Sequence, residues 1–259
     1  MRLKLKQLLD DLKFHGMAQV LETELDRCLA DQLSNEDLLY TLLSEEHRVR
    51  QERAMAYQLK QARLPRPWSL ETFPFDKQPQ LDRARIRSLE NLDFITRPQN
   101  VVFMGTPGTG KTGLAIGLAR KALHSGYRVR FYYAQDLLDE LYASLADRAT
   151  SRLLQRLAGY DLLVIDEVGY LSIKPEQANA FFRLMELRYE NRATIITTNL
   201  DFPKWYELFK RKSLVDALLD RIRHHCVTIR IDGPSLRVPS RDEGRKAAPQ
   251  KEVSGGSNG

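Results

Sequence analysis

The chain has 259 residues, 42% of them hydrophobic and 29% charged, with a formal net charge of +6 at pH 7. That length accommodates one ordinary α/β domain and a small extra one with a real core, and no apolar run is long enough to span a membrane. With no signal-peptide pattern and two cysteines, Cys28 and Cys226, far apart in sequence, a cytoplasmic protein with reduced thiols is expected. The positive balance favours polyanionic partners, although a balanced surface with a basic tail has the same total.

Residues 1–63 carry helical periodicity. Leu5, Leu8, Leu9 and Leu12 make one apolar stripe. Leu38, Leu39, Leu42, Leu43 and Val49 make another, after a capping signal at Ser34 to Asp37. The last of these helices, from about Asn35 to Gln61, would be roughly 40 Å long, more than a small helical domain needs for its own core. It either protrudes toward a partner or lies back along the larger domain. Residues 64–80 hold four prolines among Trp68, Phe73 and Phe75, which predicts a stiff extended linker. Its aromatic rings pin the linker to the core, except around Phe75 and Asp76, where they are expected to cover a nucleotide base.

A helix is predicted from about Leu81 to Ile95, and then a buried strand over Val101–Met104 runs into Gly105, Thr106, Pro107, Gly108, Thr109, Gly110, Lys111 and Thr112. This fits G-x-x-x-x-G-K-[ST], a loop whose backbone N–H groups grip phosphates at a helix N-terminus. Lys111 would reach the β- and γ-phosphates of ATP, and the Thr112 hydroxyl would be a ligand of Mg²⁺. Four fixed positions match by chance in roughly one chain in a hundred. Leu114, Ala115, Leu118 and Ala119 then continue at helical spacing, so a fortuitous glycine turn is disfavoured.

A second strand over Arg128–Tyr133 is followed by two helices, Gln135–Leu145 and Ser151–Ala158, where one crossover helix would suffice. Arg148, Arg152 and Arg156 are spaced by four, and on spacing alone they are equally a phosphate-tracking face and a solvated basic one. Leu162–Ile165 is a buried strand ending in Asp166 and Glu167. Asp166 would hold the metal, and Glu167 would orient and deprotonate an attacking water.

The strand Ala193–Thr197 leads to Asn199, which would hold the water or a γ-oxygen if this strand lies between the other two, and is otherwise a turn residue. A helix over Ser213–His225 carries Arg221 and Arg223, and a last strand spans Val227–Ile231. Arg221 is a candidate arginine finger, and on spacing alone an ordinary surface arginine. His224 and His225 beside Cys226 suggest a metal, but neighbours on a helix point apart, so no site is expected there. From about Arg241 the composition predicts disorder.

The ordered set GTPGTGKT, DLLDELYASL, DLLVIDEVGYL and TTNL resembles the AAA+ ATPases of the initiator and helicase-loader group, DnaC/DnaA-like, and within it the IstB family of insertion-sequence transposition helpers. The resemblance reaches to about Pro239. It implies a P-loop AAA+ αβα sandwich with a central parallel sheet over residues 81–232 and an initiator-specific helical insertion at about 135–158. It also implies a helical self-association domain over 1–63. The chain departs from the general AAA+ pattern in its tail, 233–259, which is expected to be too short for the usual C-terminal lid domain and its nucleotide-sensing arginine.

Within that family pattern Arg148, Arg152 and Arg156 become the favoured DNA contacts, and Arg221 acts on the nucleotide of a neighbouring subunit. The implied partners are duplex DNA, further copies of the chain in an ATP-dependent assembly, and an IstA-like transposase, with no membrane. The nearest alternative is a DnaC-type replicative helicase loader. A small-molecule kinase is disfavoured by Glu167, and a non-hydrolysing scaffold by the full set of Asp166, Glu167 and Asn199.

Overall fold

Three helices open the chain: α1 (Arg2–Asp11), α2 (His15–Ala30) and α3 (Asn35–Ala62). The computed structural model describes residues 1–169, 171, 173–209 and 212–237. α3 starts at a capping box: the Ser34 hydroxyl accepts from the Asp37 N–H, and the Asp37 carboxylate accepts from the Ser34 N–H. The N-terminal core is small, with Leu9, Met17, Ala18, Leu21 and Leu42 at its centre. Glu46, reaching across from α3, closes it. Its buried carboxylate accepts from the N–H groups of Gly16 and Met17 and so caps α2, while Arg50 neutralises it at 2.7 Å. Gly16 is glycine because a Cβ there would lie 2.9 Å from the Glu46 Cα.

The two leucine stripes are only partly inward. Leu9 and Leu42 are buried, but Leu8, Leu12, Leu39 and Leu43 are each more than half exposed. A three-helix unit this small buries one side of α1, and the rest of each stripe faces outward. The far end of α3 lies back on the larger domain. Arg130 donates to the Gln61 carbonyl at 2.7 Å, and Ala62 is fully buried in that domain's core. Between the two contacts, residues 50–54 are exposed on every side of the helix.

Residues 64–80 form an extended segment with one 3₁₀ turn at Phe75–Lys77, pinned by the buried side chains of Leu70 and Phe73. The expected single helix over 81–95 is two, α4 (Arg83–Glu90) and α5 (Asp93–Thr96), because Leu92 takes a left-handed φ of 63° between them. There follow β1 (Asn100–Gly105), α6 (Lys111–His124), β2 (Val129–Tyr133), α7 (Ala134–Ala146), α8 (Thr150–Ala158), β3 (Leu162–Asp166) and α9 (Pro175–Arg188). β4 (Ala193–Thr198), α10 (Trp205–Phe209), α11 (Lys212–His224) and β5 (Cys226–Ile231) complete the order.

The five strands form one parallel sheet in the order β2-β3-β4-β1-β5. Alternate residues feed two cores. Val101, Phe103, Val129, Phe131 and Ile195 face α6 and the linker; Val102, Met104, Leu163, Ile165 and Ile196 face α7, α8, α9 and α11. This is a three-layer αβα sandwich. A consequence is that β4 lies between β1 and β3, so the ends of all three open on one crevice.

Candidate nucleotide site

The phosphate loop leaves β1 at Gly105 and becomes α6 at Lys111. Gly110 caps that helix at φ 96°, a left-handed position that glycine takes without cost, and the Phe73 ring fills the space where a Cβ would stand. Thr109 is fully buried and its hydroxyl donates to the Thr106 carbonyl at 2.9 Å, bracing the loop; Thr106 and Pro107 are exposed at its crest. Lys111 Nζ donates to the Gly105 and Thr106 carbonyls at 2.9 and 2.7 Å. Burial holds this ammonium below the ordinary lysine value, with Asp166 opposing and Arg237 reinforcing the shift.

Asp166 ends β3 with no exposed surface. Its carboxylate accepts from the Thr112 hydroxyl at 2.9 and 3.1 Å and from the Thr197 hydroxyl at 2.5 Å. Burial raises its pKa against those two hydrogen bonds. A hydroxyl and a carboxylate side by side are hard oxygen donors of the kind Mg²⁺ takes, and a buried carboxylate with no ion-pair partner among the described residues is the group a divalent ion would relieve.

Glu167 stands one residue further on in a left-handed conformation, φ 63°, which turns its exposed side chain into the cavity instead of continuing the strand. The Thr197 hydroxyl, which donates to Asp166, also accepts the Glu167 N–H at 2.9 Å. Thr197 thus sets both acids, a role that its place in a buried strand did not announce. Asn199 follows β4 and lines the same cavity; its amide oxygen lies 1.9 Å from where a Cβ on Gly169 would be, so only glycine at 169 admits it.

The cavity measures about 700 Å³. Its floor is the phosphate loop with Asp166 and Glu167, and its walls are Pro65, Arg66, Trp68 and Phe73 from the linker, Tyr133 from the end of β2, and Leu236 and Arg237 from beyond β5. The linker aromatics that line the cavity are therefore Trp68 and Phe73. Phe75 and Asp76, expected there, are engaged by Arg83, whose guanidinium lies 5.6 Å from the Phe75 ring and 2.8 Å from the Asp76 carboxylate. The 3₁₀ turn at Phe75 swings them away.

Arg221 does not line this cavity. It lies half-buried on α11, 3.9 Å from Glu186. Arg223 lies 5.8 Å over the Phe202 ring. Arg152 and Arg156 are exposed on α8, and Arg148 is exposed in the turn before it at φ 50°. Arg156 is already paired with Glu140 at 2.7 Å. His224 and His225, expected to diverge, have ring centres 4.2 Å apart and share Glu190, because α11 ends at His224 and His225 is no longer helical. Cys226 turns away toward Thr228, with its thiol pushed up by burial.

The IstB-like ATP binding protein family matches residues 7–244. The chain belongs to that family. The protein named for ATP binding in insertion sequence IS21 of Pseudomonas aeruginosa is 39% identical over 244 residues, 94% of this chain and 91% of its own length. This IstB-like protein is an AAA+ ATPase, and ATP is its nucleotide. Its fold is shared with the DnaC helicase loader, at TM-score 0.50 and 24% identity over 57% of this chain and 87% of that one. It is shared also with AMPPCP-bound DnaA from Aquifex aeolicus, at TM-score 0.55 and 23% identity over 65% and 51%. Among the described residues no helix is long and apolar enough to cross a membrane. The expected disorder from about Arg241 falls on residues 238–259, which lie outside the described residues.

Proposed function

We propose that this IstB-family ATPase assembles on duplex target DNA as an ATP-bound homo-oligomer, remodels the DNA, and recruits and regulates an IstA-like transposase. The observation that carries the ATPase half is the meeting of Thr112, Asp166, Glu167 and Asn199 at the ends of adjacent strands around Lys111. Gly105 to Thr112 cradle the phosphates with backbone N–H groups, and Thr112 and Asp166 would hold Mg²⁺, which would supply positive charge against the phosphate oxygens. Lys111 exchanges its loop carbonyls for phosphate oxygens. Glu167 takes the proton of a water attacking the γ-phosphorus in line, while the bond to the ADP oxygen breaks, and Asn199 steadies the water or a γ-oxygen.

Arg221, outside the cavity of its own subunit and half-exposed, suits action on a neighbour's nucleotide, where an arginine adds a large factor to turnover. Arg148, Arg152 and Arg156, on the helix pair α7–α8, would track DNA phosphates, Arg156 by leaving Glu140. The half-exposed leucines of residues 1–63 offer apolar surface for pairing protomers. A transposase is the partner because the relatives are named for insertion sequences.

The test is a pull-down of the ATP-bound protein on duplex DNA against an IstA-like transposase and against a replicative helicase, with phosphate release measured in parallel. Retention of the transposase and DNA-stimulated turnover are expected. Retention of the helicase alone would install the loader reading instead.

A further inference from the structure

The residues after β5 cross the mouth of the phosphate loop. Pro234 accepts from Gln78 Nε2 at 2.7 Å, and the Leu236 N–H donates to the Gly108 carbonyl at 2.8 Å. The fit is close. Gly108 sits at φ 85°, and a Cβ there would lie 2.2 Å from the Ser235 hydroxyl; a Cβ on Gly233 would lie 1.5 Å from the Gln78 amide oxygen. The Ser235 hydroxyl accepts the Arg237 N–H at 3.2 Å, turning the chain back toward the cavity. Arg237 lines that cavity beside Lys111, is exposed, and makes no ion pair among the described residues.

We propose that Gly233–Arg237 is a strap that presents Arg237 to the distal phosphates of ATP in the same subunit. The proposal rests on the nucleotide-site reading above. Two like charges, Lys111 and Arg237, line the same cavity. Such a pair repels until a polyanion lies between its members, and then each charge adds to its binding. The guanidinium fork suits two phosphate oxygens at once, so the triphosphate gains more than the diphosphate.

The test is titration of the full chain with MgATP and with MgADP, for the wild type, Arg237→Ala, Arg237→Lys and Lys111→Ala. Arg237→Ala is expected to weaken ATP by about tenfold or more and ADP by less than about threefold, with Arg237→Lys recovering part of the loss for ATP. Equal losses for the two nucleotides would make Arg237 a brace for the loop, and no loss would remove it from the site; either result overturns the proposal. Lys111→Ala should weaken both nucleotides strongly. Wild-type affinity in that variant would defeat the nucleotide-site reading itself, whatever Arg237 does.

Discussion

The Thr112 hydroxyl and the Asp166 carboxylate, 54 residues apart in sequence, meet at 2.9 and 3.1 Å where β1's loop faces the end of β3. The contact joins the phosphate loop to the acid pair. Among the described residues the buried charge is hydrogen-bonded only by the Thr112 and Thr197 hydroxyls, since Lys111 donates to the loop carbonyls.

That charge costs stability. Burial raises the Asp166 pKa, so the folded state holds a proton that the unfolded chain has released, and stability falls as pH rises from the ordinary carboxylate value through the raised one. Asp166→Asn should therefore melt a few degrees above wild type at pH 7 in the absence of nucleotide, with the gap closing at more acid pH. The same variant should lose the Mg²⁺ dependence of ATP binding. Calorimetry at the two pH values checks the first claim, and ATP titration with and without Mg²⁺ checks the second.

Glu167→Gln keeps the cavity's shape and removes its base. ATP binding should stay within about twofold of wild type while turnover falls on the order of 10² to 10⁴-fold, the usual weight of a general base. Single-turnover phosphate release measures it. Hydrolysis at near wild-type rate would take the base role from Glu167.

Arg188 is a structural cation, 1% exposed. It donates to the carbonyls of Leu157 and Tyr160 at 2.9 Å each, to Ala193, and to the Thr194 hydroxyl at 3.0 Å, tying the end of α8 to β4. Arg188→Met strips several buried acceptors of their donors and should cost at least about 3 kcal/mol, lowering the melting temperature by roughly 6–12 °C. Arg188→Lys, with three donors and no fork, should recover only part. Thermal unfolding of the three proteins decides it.

β1 and β3 were legible because each is a run of four apolar residues closed by glycine or an acid, and the phosphate loop because its spacing is rarely met by chance. Asn199 stood open in the sequence, since turn and catalytic roles use the same residue; the strand order places it beside Glu167 in the cavity. Long-range polar partnerships left no periodic trace. Thr197 reads as one more strand residue, Glu46 as one more helix acid, and Arg188 as a surface arginine, until the fold brings their partners to them. Leu8, Leu12, Leu39 and Leu43 show the reverse: a stripe at helical spacing predicts an apolar face but not what covers it.

Arg152→Ala with Arg156→Ala should weaken binding to duplex DNA and reduce the slope of log affinity against log salt by about 2, roughly 0.9 for each phosphate no longer neutralised. Glu140→Gln, which frees Arg156 from its ion pair, should move affinity the other way. Salt titrations of all three proteins on one duplex supply the slopes. A slope unchanged in the double variant would make α8 a solvated face.

If ATP binding drives assembly on DNA and hydrolysis comes afterwards, the decisive experiment is sedimentation of the wild type and Glu167→Gln on long duplex DNA, with and without ATP. Particles should grow only when ATP and DNA are both present, and those of Glu167→Gln should persist after those of the wild type have decayed. Particles of the same size with and without ATP, or no growth on DNA in either protein, would refute ATP-driven assembly.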